Sequence, residues 1–308
     1  MSRPVQRTST PRRAVLATAL AGSVLGLTGC GIRLEKGAPK IPGLKAQAPP
    51  ADQAVLRTVL TNLEAAIMSA HHDDATWAAR LAKIHTTQRT RLTKVMATQG
   101  MTPLPARQKG KGSGAVSDTE PLPLGVFEQR TAQGIGRLCG LTARNLPMAA
   151  AIGVTHGVAA QLLGKPADPA GDTVPEPAKV PVAILPSLQA TIYAFEMIVA
   201  KTPLDSRKKA EATLAALRPT RSAWEAALGD AAPAQPDGYA LPVQPTTDAK
   251  RTKLAHLVLT DLIDACAGQV VSTRGDRGSF IGLTDLWIAA TAQLWRWDAT
   301  PTPFPGLT

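Results

Sequence analysis

Apolar residues recur every three or four positions along most of the chain after residue 51. This spacing places them on one face of an amphipathic helix. Stripes over residues 56–67 and 77–95 predict two helices, and the short polar break at residues 71–74 predicts that they form an antiparallel hairpin. A third helical region spans residues 126–163. Pro147 should divide or kink it, because proline removes a helix donor and clashes with the preceding turn.

Four further stripes follow between residues 186 and 297 and predict four helices. Their apolar positions are Leu188, Ile192, Phe195 and Val199; Ala210, Leu214, Leu217, Trp224 and Leu228; Leu254, Leu257, Val258, Leu262 and Ala265; and Leu283, Trp287, Ala290 and Leu294. Segments rich in proline and glycine separate the helical regions, and no sustained alternation with a period of two indicates a sheet. We therefore expect an all-α fold, with a four-helix bundle at the C-terminus and an additional N-terminal helical part.

The first residues have the features of an export signal. Residues 1–29 combine an arginine-rich start with an apolar run at residues 14–27, which is short for a membrane span of about 20 residues. Arg12 and Arg13 resemble a twin-arginine signal, although the general secretory route remains open. Leu27-Thr28-Gly29-Cys30 resembles a bacterial lipobox, in which the cysteine thiol carries a diacylglycerol and the new N-terminus a fatty acyl group such as palmitate. We expect a protein that is lipid-anchored at Cys30 on the outer face of the cytoplasmic membrane.

The expected domains are a signal peptide with its lipobox at residues 1–29, a flexible tether at 30–50, an N-terminal helical region at 51–164 and the bundle at 181–308. The tether is rich in proline, glycine and basic residues, a composition that cannot bury a core. Removing the four arginines of residues 1–29 lowers the formal net charge from +11 to +7. This basic balance suits an anionic membrane or envelope polymer. No stretch interleaves aromatic and basic residues, so we expect no nucleic-acid partner.

Two cysteines remain beside Cys30. Cys139 and Cys266 would lie in an oxidising compartment, where disulfides persist. They form either one disulfide or two separately buried thiols, because free cysteine is among the most buried residue types. The sequence leaves both alternatives open.

From about residue 181 to 307 the chain resembles a ferritin-like domain of unknown function found in actinobacterial lipoproteins. The matching motifs, in order, are Leu188-Gln189-Ala190, Tyr193-Ala194, Tyr239-Ala240-Leu241-Pro242-Val243, Trp295-Arg296-Trp297 and Phe304-Pro305-Gly306. The resemblance implies a ferritin-like fold and export as a lipoprotein. It implies no established activity.

A di-iron site in such a bundle needs glutamates together with Glu-x-x-His motifs, and the sequence contains no Glu-x-x-His. Glu196 and Asp261 are weak metal-ligand candidates, and Asp261 falls on the stripe of Leu254 and Leu257. We expect such a buried acid to be hydrogen-bonded rather than to bind metal. We predict no cofactor and no catalytic residue.

The predicted function is therefore an interaction or structural module of the cell envelope without a working di-iron site, whose partner is an unknown envelope protein or ligand. Two alternatives stay open: a metal-dependent ferritin-like oxidoreductase, and a receptor for a small envelope ligand bound between the two helical parts.

Overall fold

The computed structural model describes residues 49–103, 122–168 and 182–307. The predicted export signal, Cys30 and most of the tether lie outside these residues. All regular secondary structure in the described ranges is helical, which confirms the predicted all-α fold. The α-helices are α1 Gln53–His71, α2 Ala78–Thr98, α3 Leu124–Gln133, α4 Leu146–Leu162, α5 Leu185–Ala200, α6 Lys208–Leu228, α7 Asp248–Gln269 and α8 Arg277–Arg296.

The N-terminal half contains α1 to α4. Helix α1 packs on α2 and on α3, and α3 packs on α4. Every residue of α4 from Ala149 to Ala160 is buried, so this helix has no solvent-facing side over that stretch. Its glycines allow the close approach this requires, because a Cβ atom at Gly157 would lie 2.4 Å from the Ile288 side chain.

The division expected near Pro147 is present. Helix α3 ends at Gln133, a 3₁₀ helix spans Ile135–Gly140, and α4 begins at Leu146 with Pro147 in its first turn. Proline is well suited to a first turn, where no intrahelical donor is needed. Gly136 lies in the interruption and packs closely against α8, since a Cβ atom there would be 2.8 Å from Nε of Arg277.

The C-terminal half contains the predicted bundle of four helices. Helix α5 packs on α6 and α7, and α8 packs on the same two helices. Side chains cap the start of two of them: the Thr247 hydroxyl accepts from the backbone of Lys250 at α7, and the Asp276 carboxylate accepts from the backbone of Ser279 at α8. Such caps satisfy donors that the first turn of a helix leaves free.

The two halves share one apolar core, joined mainly where α4 packs on α8. Trp77 of the N-terminal half stacks on Trp295 of α8, with ring centroids 6.1 Å apart. The segment after α8 also crosses to the N-terminal half, where the Pro303 carbonyl accepts a hydrogen bond from Gln88 at 2.5 Å. Gly306 anchors this segment with a φ of 70°, and a Cβ atom there would lie 2.7 Å from Ala267.

Within the described residues, Val182–Ala200 and Asp248–Thr273 are long and apolar enough to cross a membrane. About half of each apolar stretch is buried inside the protein, 50% and 44% respectively. Core helices of a bundle have the same length and composition, so these segments are weak evidence for a membrane span.

Candidate functional site

Three ionisable side chains meet in the interior of the N-terminal half. His85 from α2, Glu128 from α3 and His156 from α4 are each at most 1% exposed. Glu128 lies between the two imidazoles: its Oε1 is 3.0 Å from Nε2 of His85, and its Oε2 is 2.5 Å from Nδ1 of His156. The two rings stack with their centroids 4.8 Å apart. We call these three residues the buried triad.

The helices direct these side chains inward for the same reason that they bury apolar ones. On α3, Leu124, Glu128 and Ala132 are the buried positions and recur at intervals of four. On α2, His85 and Gln88 occupy the buried face between Leu81 and Leu92. Each polar residue therefore replaces an apolar one on a core-facing stripe, where a polar group must be hydrogen-bonded.

The amide of Gln88 requires a proton on Nδ1 of His85. The Gln88 Nε2 donates to the Pro303 carbonyl and, at 2.9 Å, to the Thr155 hydroxyl, which itself donates to Ala151. Because the Pro303 carbonyl can only accept, the NH₂ end of the Gln88 amide must face it. The oxygen end, Oε1, therefore faces His85 and lies 2.9 Å from its Nδ1. Both ring nitrogens of His85 thus face oxygen atoms, of Gln88 and Glu128, and both donate when Glu128 is ionised. His85 is an imidazolium.

The pKa directions agree with this assignment. Burial alone would lower the pKa of His85, but the charge of Glu128 and the hydrogen bonds to Glu128 and Gln88 raise it above its usual 6.5. Burial alone would raise the pKa of Glu128, but the adjacent imidazoles of His156 and His85 lower it to about 2. The centre of the triad is a buried ion pair between His85 and Glu128.

His156 is the neutral member of the triad. Burial lowers its pKa, and the charge of His85 lowers it further against the opposing attraction of Glu128. Its Nδ1–H donates to Glu128, so its Nε2 carries a lone pair and can only accept. This Nε2 is buried and has no hydrogen-bond partner in the described part of the chain. Such orphaned buried atoms are rare and need an explanation.

A cavity of about 420 Å³ lies against His156 between α1, α3 and α4. Small-molecule sites commonly enclose about 300 to 1,000 Å³ and combine an apolar lining with a few polar groups. The cavity is lined by Val55, Thr58, Val59, Asn62, Leu122, Phe127, Arg130, Thr131, Gly134, Ile135, Arg137, Leu138, Ala149, Ile152, Gly153 and His156. Its lining is mainly apolar, and the exposed residues Thr58, Arg130 and Arg137 place its mouth at the protein surface.

Comparison with known families gives a match in the C-terminal part of the chain. Residues 183–308 match DUF4439, a domain of unknown function. This confirms a C-terminal domain of unknown function, as the resemblance implied. No curated protein and no solved structure matched the chain. The buried triad and the cavity lie outside the DUF4439 domain, although Pro303 of that domain contributes to the hydrogen-bond network.

The triad also has the composition of a metal site. Its three ligand atoms lie within 4.8 Å of one another, and two histidines with one glutamate can bind zinc. In this structure the contacts among the three side chains have hydrogen-bond distances. Both carboxylate oxygens accept from imidazoles, and a metal ion would have to displace the Nε2 proton of His85. The hydrogen-bond network accounts for every polar side-chain atom of the triad except Nε2 of His156.

The structure does not assemble the two metal-ligand candidates predicted from the sequence. Glu196 of α5 is 40% exposed at its side chain and forms an ion pair with Arg218 at 2.9 Å. Asp261 of α7 is exposed, so the expectation that it faces the core was wrong. Neither belongs to a group of three or more potential metal ligands in the described residues, where His85, Glu128 and His156 form such a group.

Both remaining cysteines are free thiols. Cys139 is partly exposed, and Cys266 is fully buried, where burial raises its pKa. The structure thus has separate thiols and not the disulfide alternative. Cys30, Arg12 and Arg13 lie outside the described residues.

Sequence reasoning missed all three members of the triad. Glu128 is 43 residues from His85 and 28 from His156, so no local motif contains two of them. The sequence feature that could have indicated a buried polar cluster was Gln88, a polar residue at an apolar stripe position of α2, because a buried amide requires hydrogen-bond partners.

Proposed function

We propose that this chain is an exported, lipid-anchored protein of the cell envelope that binds a small organic ligand in the cavity beside His156. The observation that carries this proposal is the coincidence of an apolar cavity with a buried, unpartnered acceptor in its lining. A preformed apolar cavity with few polar groups and an ionisable residue of shifted pKa is the usual form of a ligand site. Of the three functions considered from the sequence, this favours the receptor for a small ligand, although the cavity lies within the N-terminal part and not between the two helical parts.

The export signal and the lipobox support the proposed location. Residues 1–29 and Cys30 would place the helical body at the outer face of the cytoplasmic membrane, tethered by a basic, proline-rich segment. A cavity that takes up apolar molecules would there have direct access to lipids and to small molecules of the envelope.

The oxidoreductase alternative has less support. Glu196 is engaged with Arg218 at the surface, and Asp261 is exposed, so the described part of the DUF4439 domain offers these residues no shared interior site. We therefore propose a protein without a working di-iron centre. The DUF4439 domain would serve as the support that holds α4 and the Gln88 network in place.

Filling the cavity tests the binding function. Thr58 lies on α1 in the cavity lining, whereas Thr61, about one turn later on α1, is not part of the lining. Both residues are exposed, and each hydroxyl donates to a carbonyl of the preceding turn. Thr58→Trp should block uptake of the apolar fluorophore N-phenylnaphthylamine and of molecules co-purified from membranes. The matched control Thr61→Trp should leave both unchanged.

Two results would contradict the proposal. Equal uptake by the Thr58→Trp and Thr61→Trp variants would show that the cavity is not the binding site. A change of oligomeric state in the Thr58→Trp variant alone, measured by light scattering, would show that the cavity face contacts a second copy of the chain.

The anchor is tested separately. Cys30→Ala should abolish incorporation of a labelled palmitate analogue and release the protein from membranes, or leave its signal uncut. Continued lipid labelling and membrane partitioning of a processed Cys30→Ala protein would refute the lipobox assignment.

A further inference from the structure

We infer that the ligand is an organic anion with an apolar body and a hydroxyl or amide N–H donor, whose donor binds Nε2 of His156 and whose charge is held by Arg130 and Arg137. This inference rests on the proposed function and specifies the ligand of that same cavity. It follows from the charge of the buried triad and from the composition of the cavity lining.

The first step is that His156 offers an acceptor and not a donor. Its Nδ1–H is committed to Glu128, so a second ring proton would make it an imidazolium. His85 already carries a positive charge, and its ring is stacked on that of His156 at 4.8 Å. Glu128 is the carboxylate of the triad and balances one imidazolium. A second buried positive charge would have no counter-ion, so Nε2 of His156 remains a bare lone pair.

The second step is that this lone pair requires a donor from outside the network. Every other polar side-chain atom of the triad is hydrogen-bonded, and Gln88 and Thr155 are held by Pro303 and Ala151. His156 is one of the residues that line the cavity, so a cavity ligand that reaches its unpartnered Nε2 can supply the missing bond. A hydroxyl or amide N–H donates such a bond without bringing in a charge.

The third step concerns the charge of the ligand. The described lining contains Arg130 and Arg137 and no acidic residue, and both arginines are exposed. Neither has an ion-pair partner in the part of the chain that the structure describes. A guanidinium binds carboxylate and phosphate well because its planar donors match both oxygens of the anion. The mouth of the cavity is therefore selective for anions.

Three probe molecules separate the contribution of the ligand's hydrogen-bond donor from that of its negative charge. Decanoate has the apolar body and the anion, decanediol has the body and donors, and ω-hydroxydecanoate has all three. Affinities are measured by calorimetry with the full chain in nanodiscs, and empty nanodiscs provide the blank. We expect ω-hydroxydecanoate to bind about tenfold more tightly than decanoate, which is the size of one hydrogen bond to an otherwise unpartnered buried acceptor.

Substitutions assign each preference to its residue. His156→Asn keeps an N–H donor toward Glu128 and removes Nε2, so it should abolish the advantage of ω-hydroxydecanoate over decanoate. The pair Arg130→Gln and Arg137→Gln should weaken both anions severalfold and leave decanediol unchanged, and added salt should reproduce that effect. The arginines are exposed, so this second arm holds even if the His156→Asn variant fails to fold.

The outcomes discriminate between this inference and the proposed function. Equal affinities for decanoate and ω-hydroxydecanoate, or an unchanged preference in His156→Asn, would overturn the donor assignment. Affinities for decanediol that match those for ω-hydroxydecanoate at low salt would overturn the anion assignment. Both results leave the proposed binding function standing if Thr58→Trp still blocks fluorophore uptake. Stoichiometric zinc binding that is lost in His85→Asn would overturn the inference and identify the triad as a metal centre.

Discussion

Replacing Glu128 by glutamine removes the charge at the centre of the buried triad while keeping its shape. The glutamine Oε1 can still accept from His85, and its amide can donate to His156 once that ring takes its other tautomer. The number of hydrogen bonds is preserved, so the substitution isolates the loss of the counter-ion. His85 must then either stay charged without a counter-ion or lose the proton that it donates to Gln88 or to the new glutamine.

The expected cost follows from the environment of Glu128. The imidazoles of His156 and His85 lower its pKa on folding, so the ionised carboxylate stabilises the folded state near neutral pH. Removal of one partner from a buried ion pair commonly costs about 3 to 5 kcal/mol. We therefore expect Glu128→Gln to lower the free energy of unfolding by about 3 kcal/mol. The matched control is Glu196→Gln, whose half-exposed pair with Arg218 should contribute about 1 kcal/mol or less.

The pH dependence supplies a second signature. Glu128 has a depressed pKa in the folded state, so its contribution is present above pH 4.5 and is lost as the pH falls toward 2. His156 also has a lowered pKa, so stability decreases as the pH falls below 6.5, where the unfolded chain takes up a proton that the folded chain does not. His85 has a raised pKa, so its contribution is complete below 6.5 and is lost as the pH rises through the folded value. The triad should thus place its maximum stabilisation near pH 6.5.

Urea unfolding followed by far-UV circular dichroism, repeated across pH, measures these effects. In the Glu128→Gln variant the loss of stability between pH 4.5 and 2 should be smaller than in the wild type. The difference between the two proteins should also shrink at alkaline pH, where His85 can deprotonate. If Glu128→Gln and Glu196→Gln cost the same at pH 6, or if the wild type shows none of these windows, the buried ion pair does not exist as described.

Three further predictions concern packing, thiols and iron. Gly157→Ala should destabilise the protein by about 1 to 3 kcal/mol in thermal melts, because its Cβ would lie 2.4 Å from Ile288, whereas Gly268→Ala on α7 meets nothing within 4 Å and should be neutral or stabilising; equal melting temperatures would refute the α4–α8 packing. A thiol reagent should modify Cys139 in the folded protein and Cys266 only after unfolding. Detection by mass spectrometry of a disulfide-linked peptide that contains both cysteines would contradict the assignment of two free thiols. Aerobic titration with ferrous iron should give no stoichiometric binding or oxidation, whereas two irons per chain lost on changing Glu196 or Asp261 would contradict the proposed absence of a di-iron centre.

The helices could be predicted because their signal is local. Apolar residues at intervals of three and four located the helices of the C-terminal bundle. The break between α3 and α4 was also predictable, since Pro147 would remove a donor and clash inside a helix but fits the first turn of α4. The interruption itself begins earlier, at Gly134, and Gly136 within the 3₁₀ helix packs closely against α8.

The error at Asp261 has a physical reason. Helix α7 packs against both α5 and α8, so its buried face is wide and includes Ala255, Leu259 and Ile263 in addition to Leu254 and Leu262. The stripe drawn through Leu257 lies at the edge of this face, where Leu257 itself is 36% exposed. One row of apolar residues does not locate the centre of a helix face that packs against two neighbours, and Asp261 lies beyond the edge of this face.

The triad and the DUF4439 domain are physically linked even though they lie in different halves of the chain. The Pro303 carbonyl fixes the orientation of the Gln88 amide, whose Oε1 accepts from Nδ1 of His85. Nε2 of the same ring donates to the carboxylate of Glu128. Glu128 in turn accepts from Nδ1 of His156, a residue of the cavity lining, and Nε2 of that ring has no partner among the described residues. Gly306 holds the segment that carries Pro303, because its left-handed backbone and its contact with Ala267 exclude a side chain. The resemblance to a ferritin-like bundle directs attention to the interior of the C-terminal helices. The DUF4439 domain instead contributes the Pro303 carbonyl to the hydrogen-bond network of the buried triad, which lies in the other half.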